Sequence, residues 1–99
     1  MTEPTLQEQL DYLVPQINYL TRVIGEYMSR QRSKHLSYAD NAERQRELEQ
    51  ERRNMYDQLC QVAQALGYEY LPYPATPHWQ APGKALYLDY APVPRGGKQ

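Results

Sequence analysis

The chain has 99 residues with 11 basic and 12 acidic side chains, a net charge of −1, which excludes a generally basic polyanion binder and leaves only local patches to consider. A single cysteine, Cys60, excludes an internal disulfide framework, and two histidines as far apart as His35 and His78 offer no metal-ligand spacing. Ten tyrosines and no phenylalanine mean that a chain of this size must draw its aliphatic core mainly from helical seams.

The first predicted element opens at Thr5 and Glu8, the residue pair of a capping box, so a helix is expected from Leu6 onward. Along it Leu6, Leu10, Leu13, Ile17, Leu20, Ile24 and Tyr27 recur at alternating spacings of four and three. That is a heptad seam, an apolar stripe that must be covered by another helix. Pro15 falls at the outer f position, where a kink is expected rather than a break. The stripe is wider than one partner needs, with Val14 and Met28 on one flank, and Val23, Tyr12 and Tyr19 on the other. Gly25 is read as simply tolerated.

After a turn near residue 36, Ser37 and Asp40 signal a second helix over residues 41–66, and Gly67 is placed to end it in the left-handed conformation. Numbering outward from the turn aligns Leu13 with Leu59, Ile17 with Met55, Leu20 with Arg52 and Ile24 with Leu48. The expected fold is therefore mainly all-α: an antiparallel αα-hairpin of two long helices over residues 1–67, followed by an extended Tyr/Pro-rich arm over residues 68–99 in the same domain. Near the turn the second helix is almost wholly polar, which leaves Ile24, Tyr27 and Met28 short of cover. A second copy repairs this, giving a four-helix bundle with Ile24 and Met28 in the subunit contact.

In the arm, prolines exclude helix. Residues 68–73 and 85–91 alternate like strands and are expected to form a β-hairpin through a long 74–83 loop. Tyr68, Tyr70, Tyr73, Trp79, Tyr87 and Tyr90 make this the most aromatic part of the chain. Tyrosine and tryptophan offer large, fairly rigid contact area with a polar tip, so Trp79, Tyr73, Tyr87 and Tyr90 are the candidate protein-binding residues. Trp79, flanked by His78 and Gln80, is expected to reach outward into a partner pocket, and its removal to abolish capture of that partner with little change in melting temperature. The competing reading makes the arm a missing piece of core, wrapped over Tyr12, Tyr19 and Val23.

No nucleophile stands beside a base at helical spacing, Cys60 reads as a small packing residue, and no Glu-x-x-His pair of a di-iron bundle is present, so neither an enzyme nor a cofactor is expected. Arg30, Arg32, Lys34 and Arg44 cluster at the hairpin tip as candidate anion ligands, with Asp40, Glu43 and Glu47 close enough to neutralise them. Arg52 occupies a seam position, where it either snorkels to water or awaits a carboxylate or an anionic ligand.

Met1 to Gln9 is polar and no apolar run approaches the ~20 residues that span a membrane, so a cytoplasmic protein with no membrane partner is expected. The function expected is that of a small protein–protein interaction protein, an adaptor, assembly subunit or inhibitor, which binds itself and another protein. The alternative is a nucleic-acid or nucleotide binder using Arg52 or the basic tip.

Overall fold

The computed structural model describes residues 3–30 and 38–95. It is mainly helical. Helix α1 spans Leu6–Arg30 and helix α2 spans Tyr38–Ala65, and the two pack against each other. Three short strands follow, β1 at Glu69–Tyr70, β2 at Trp79–Ala81 and β3 at Lys84–Leu86. Among the described residues no helix is long and apolar enough to cross a membrane.

The start of α1 is fixed by reciprocal hydrogen bonds. The Thr5 backbone N–H donates to Glu8 Oε1 at 2.8 Å and the Glu8 N–H donates to Thr5 Oγ1 at 3.1 Å, so two of the otherwise orphaned donors at a helix N-terminus are satisfied. The helix then runs unbroken through Pro15, whose ring faces solvent. The end of α2 is equally well defined. Gly67 has φ +94°, its N–H donates to the Gln64 carbonyl at 3.1 Å, and the Tyr68 N–H donates to the Ala63 carbonyl at 2.9 Å. These are the two bonds of a Schellman ending, with buried Tyr68 and Ala63 supplying its apolar contact. The Ser37 capping signal lies outside the described residues.

The seam closes from Leu10 to Ile24, while Leu6 at its N-terminal end is 40 % exposed and stays outside the buried clusters. Leu10, Leu13 and Ile17 share one buried cluster with Leu59 and Val62, while Leu20 and Ile24 share a smaller one with Leu48. Ile24 is only 3 % exposed. Its expected place in a subunit contact is therefore corrected: Leu20, Leu48 and the flanking Val23, Tyr27 and Met55 already cover it. Met28, one turn further and on the flank, is 53 % exposed. Gly25 is exposed and a Cβ there would meet nothing within 4 Å, so no close approach requires the glycine.

The arm departs from the expected hairpin. Residues 85–91 do not pair with 68–73; instead β2, in the middle of the stretch read as a loop, pairs antiparallel with both neighbours. Pro82 and Gly83 form a two-residue connection between β2 and β3, with Gly83 at φ +73°, the Pro-Gly order that a type II turn uses. Tyr70, Trp79 and Leu86 stand in one cross-strand row, and because alternate residues of a strand face opposite sides, all three turn inward while Glu69 and Gln80 point to solvent. The row lands on a second stripe of α2, Tyr56, Cys60 and Ala63, each under 5 % exposed. Helices and sheet thus share one core, and the arm covers α2 and not Tyr12 or Tyr19, which remain 59 % and 53 % exposed.

Candidate interaction surface

Strand β2 positions Trp79 at the bottom of the core, 0 % exposed. Its indole N–H donates to the Tyr56 hydroxyl at 3.1 Å, and its ring meets Tyr70 edge-on at 5.4 Å between centroids. Trp79 as an outward anchor is therefore corrected: strand alternation turns it onto α2, where burial of a large ring and a paired N–H both favour the inside. Tyr90 is also engaged within the chain. It packs edge-on against Tyr56 at 5.4 Å, and the Arg52 guanidinium lies over its face at 3.8 Å.

The remaining two candidates stay outside. Tyr73 is 86 % and Tyr87 70 % exposed. Their exposure has a local cause. Tyr73 lies in the proline-flanked stretch between β1 and β2, and Tyr87 follows Leu86, whose inward orientation in β3 turns its neighbour outward.

Beyond β3 the chain forms a strap, residues 87–95, that belongs to no strand. It is held by side chains of the body acting on its backbone. The Asn18 amide donates from Nδ2 to the Tyr87 carbonyl at 3.1 Å and accepts the Asp89 N–H at Oδ1 at 2.9 Å. The Tyr70 hydroxyl donates to the Ala91 carbonyl at 3.0 Å and the Tyr56 hydroxyl to the Pro92 carbonyl at 2.6 Å. Asp57, ion-paired with Arg53 at 3.2 Å, also lies 3.9 Å from Arg95 at the end of the strap. Burial is the main reason Tyr56 holds its proton well above the ordinary range, so the hydroxyl remains a donor. Beside it, burial pushes the Cys60 thiol up to about 11.

Where the strap crosses α1 it borders an open groove of about 650 Å³, lined by Pro15, Asn18, Tyr19, Thr21, Arg22 and Asp89. Tyr12, Pro15, Tyr19 and Arg22 follow one another at spacings of three, four and three, and all reach the surface, so α1 carries a second stripe on its outer side. Arg22 stacks over the Tyr19 ring at 5.4 Å. Large aromatic side chains left in water at helical spacing are the composition of a contact surface.

The candidate anion ligands do not converge among the described residues. Arg32 and Lys34 lie outside them, as does the Arg30 side chain. Arg44 is ion-paired with Glu47 at 3.1 Å on an exposed turn. Arg52 sits eight residues along the same helix, about 12 Å away at 1.5 Å per residue. Its guanidinium reaches Thr21 Oγ1 at 3.4 Å and the Tyr90 face, and its Nε is buried without a partner. No three His, Cys, Asp or Glu side chains among the described residues are grouped to hold a metal ion.

Asn18 and Tyr56 were not legible as site residues. Tyr56 had a signal, since Tyr56, Cys60 and Ala63 repeat the four-and-three spacing one residue out of phase with Met55, Leu59 and Val62. Asn18 had none, because its contribution is two bonds to a backbone some 70 residues away in sequence. Comparison with protein-family models, with curated proteins and with solved structures returns no match.

Proposed function

We propose that this chain is a non-catalytic protein-interaction module which self-associates through the outer side of α1 and presents Tyr73 and Tyr87 to a partner protein. One observation carries the reading. The fold buries Trp79, Tyr56 and Tyr68 yet leaves Tyr12, Tyr19, Met28, Tyr73 and Tyr87 more than half exposed. Such side chains gain free energy only when a second surface covers them, at roughly 25 cal/mol per Å². In this reading Tyr12 and Tyr19, with Pro15 and Arg22 on the same side of α1, supply the contact between copies and join two hairpins into a four-helix assembly, and Tyr73 and Tyr87 remain for the partner. An adaptor, an assembly subunit and an inhibitor all act in this way.

Two measurements test it. Light scattering at ~100 μM, where weak bundles associate, gives a dimer or higher mass for the natural chain and a monomer for Tyr12→Ser/Tyr19→Ser. Affinity capture from the native host loses its partner with Tyr73→Ser/Tyr87→Ser at unchanged melting temperature. A monomer mass for the natural chain refutes the first half of the proposal, and undiminished capture by the arm variant refutes the second.

A further inference from the structure

The strap is bound in the manner of a ligand. The body contacts it from both helices and from β1, through Asn18, Tyr56 and Tyr70 acting on backbone atoms, with Tyr90 seated against Arg52 and Tyr56. Side chains that grip an extended backbone while one aromatic residue fills a recess form a peptide-recognition site. Pro92 and Pro94 lack backbone N–H groups and restrict their own φ, so the strap is held near an extended shape and loses little freedom on docking. It forms no ladder with the sheet, and its release leaves the β1–β2–β3 pairing intact.

We propose that this seat exchanges its occupant: in the self-associated form it takes the strap of a second copy, residues 87–95, in place of its own. The occupant is fixed by its chemistry, because the same Tyr-Ala-Pro-Val-Pro sequence satisfies the same donors whichever copy supplies it. The proposal rests on the self-association of α1 described above, and proximity makes it follow from that contact. An intramolecular strap competes at an effective concentration in the millimolar range, so a free strap at ~100 μM does not displace it. Copies apposed on the outer side of α1 change that balance. Asn18 and Asp89 line the same groove as Tyr19, so a two-fold contact centred on Tyr19 brings each seat beside the partner copy's strap, at a local concentration matching that of its own. Exchange then replaces each contact by an identical one, the condition under which swapping costs little.

Asp57 and Arg95 provide the test, because they meet at the far end of the seat on α2, 3.9 Å apart, and neither lies on the outer stripe of α1. In a Cys60→Ala background, full-length Asp57→Cys and Arg95→Cys chains are mixed, equilibrated at ~100 μM under reduction and then oxidised. Statistical mixing of an exchanged two-fold dimer puts about half of the molecules in heterodimers, each carrying one disulfide that joins the thiol introduced on α2 of one chain to the thiol introduced in the strap of the other. The double variant Asp57→Cys/Arg95→Cys, oxidised when dilute, closes the same bond within one chain and confirms the closed seat. A dimer mass with no heterodimeric disulfide overturns the exchange while leaving self-association standing. A monomer mass overturns both, and failure of the dilute double variant to close overturns the seat itself.

Discussion

Trp79→Ala removes the largest fully buried side chain among the described residues. Complete burial of an indole takes about 200 Å² out of water, and at roughly 25 cal/mol per Å² that is about 5 kcal/mol as an upper bound. Large-to-small changes of aromatic core residues cost about 3–5 kcal/mol in practice, the cavity included. The site cannot collapse easily, because Tyr70 and Leu86 flank Trp79 in the cross-strand row and Tyr56 lies beneath it. A domain of this size has roughly 5–15 kcal/mol in total. The variant therefore melts lower by upwards of about 12 °C, since 1 kcal/mol corresponds to about 4–8 °C at this length. Tyr56→Phe offers a finer probe. It keeps the ring but strands the Trp79 N–H and the Pro92 carbonyl, at about 1–3 kcal/mol. Circular dichroism at 222 nm follows both variants, which matters because the first lacks the fluorophore. A Trp79→Ala melt within a few degrees of the natural chain, together with lost partner capture, refutes the core assignment and restores the outward anchor.

Asn18→Ala removes both bonds that clamp the strap to α1, with an expected loss of about 1–2 kcal/mol and faster hydrogen exchange at the Asp89 amide, read by NMR. Arg52→Leu stays within about 1 kcal/mol of the natural chain in urea melts, because losing the stacking on Tyr90 is offset by burying seam surface and removing the unpartnered Nε. A changed oligomer mass for that variant instead assigns Arg52 a part in setting the pairing. Gly25→Ala raises stability by about 0.5–1 kcal/mol in thermal melts, as the position is helical, exposed and open. The Cys60 thiol, pushed by burial from 9.0 to about 11, keeps its proton in the folded state where the unfolded chain releases it. Its contribution is present in full below pH 9 and is lost as pH rises toward 11. The urea midpoint therefore falls over that range, less so in Cys60→Ala; a flat profile in the natural chain contradicts it.

The helical hairpin was readable because each helix advertises itself locally. The Thr5/Glu8 box, the seam of α1 from Leu10 to Ile24 and Gly67 are all short-range signals, and each performs the expected role, whereas Leu6 at the head of the seam stays exposed. The β region was harder. Trp79-Gln80-Ala81 is only three residues long and stands between prolines, so its alternation is too short to separate a strand from a loop, although Pro82-Gly83 marks a tight connection. The ambiguity carries over to the site, since a loop tryptophan faces outward and a strand tryptophan at this phase faces in. Tyr73 and Tyr87 are exposed because neither alternation nor helical spacing gives them an inner surface to meet. The strap leaves no periodic trace at all. Bonds from side chains to a distant backbone place no demand on the identity of the residues whose carbonyls they grip.

The Tyr56 hydroxyl accepts from the Trp79 indole N–H and donates to the carbonyl of Pro92. Donor, relay and acceptor belong to β2, α2 and the strap, so the three parts of the fold meet at a single oxygen. The chain has one tryptophan, and its emission depends on the partner of its N–H and on the wetness of its surroundings. Lifting the strap withdraws the acceptor from Tyr56 and admits water above it. The protein thus contains its own optical gauge, in which the state of its C-terminal segment is written into the colour of one buried chromophore.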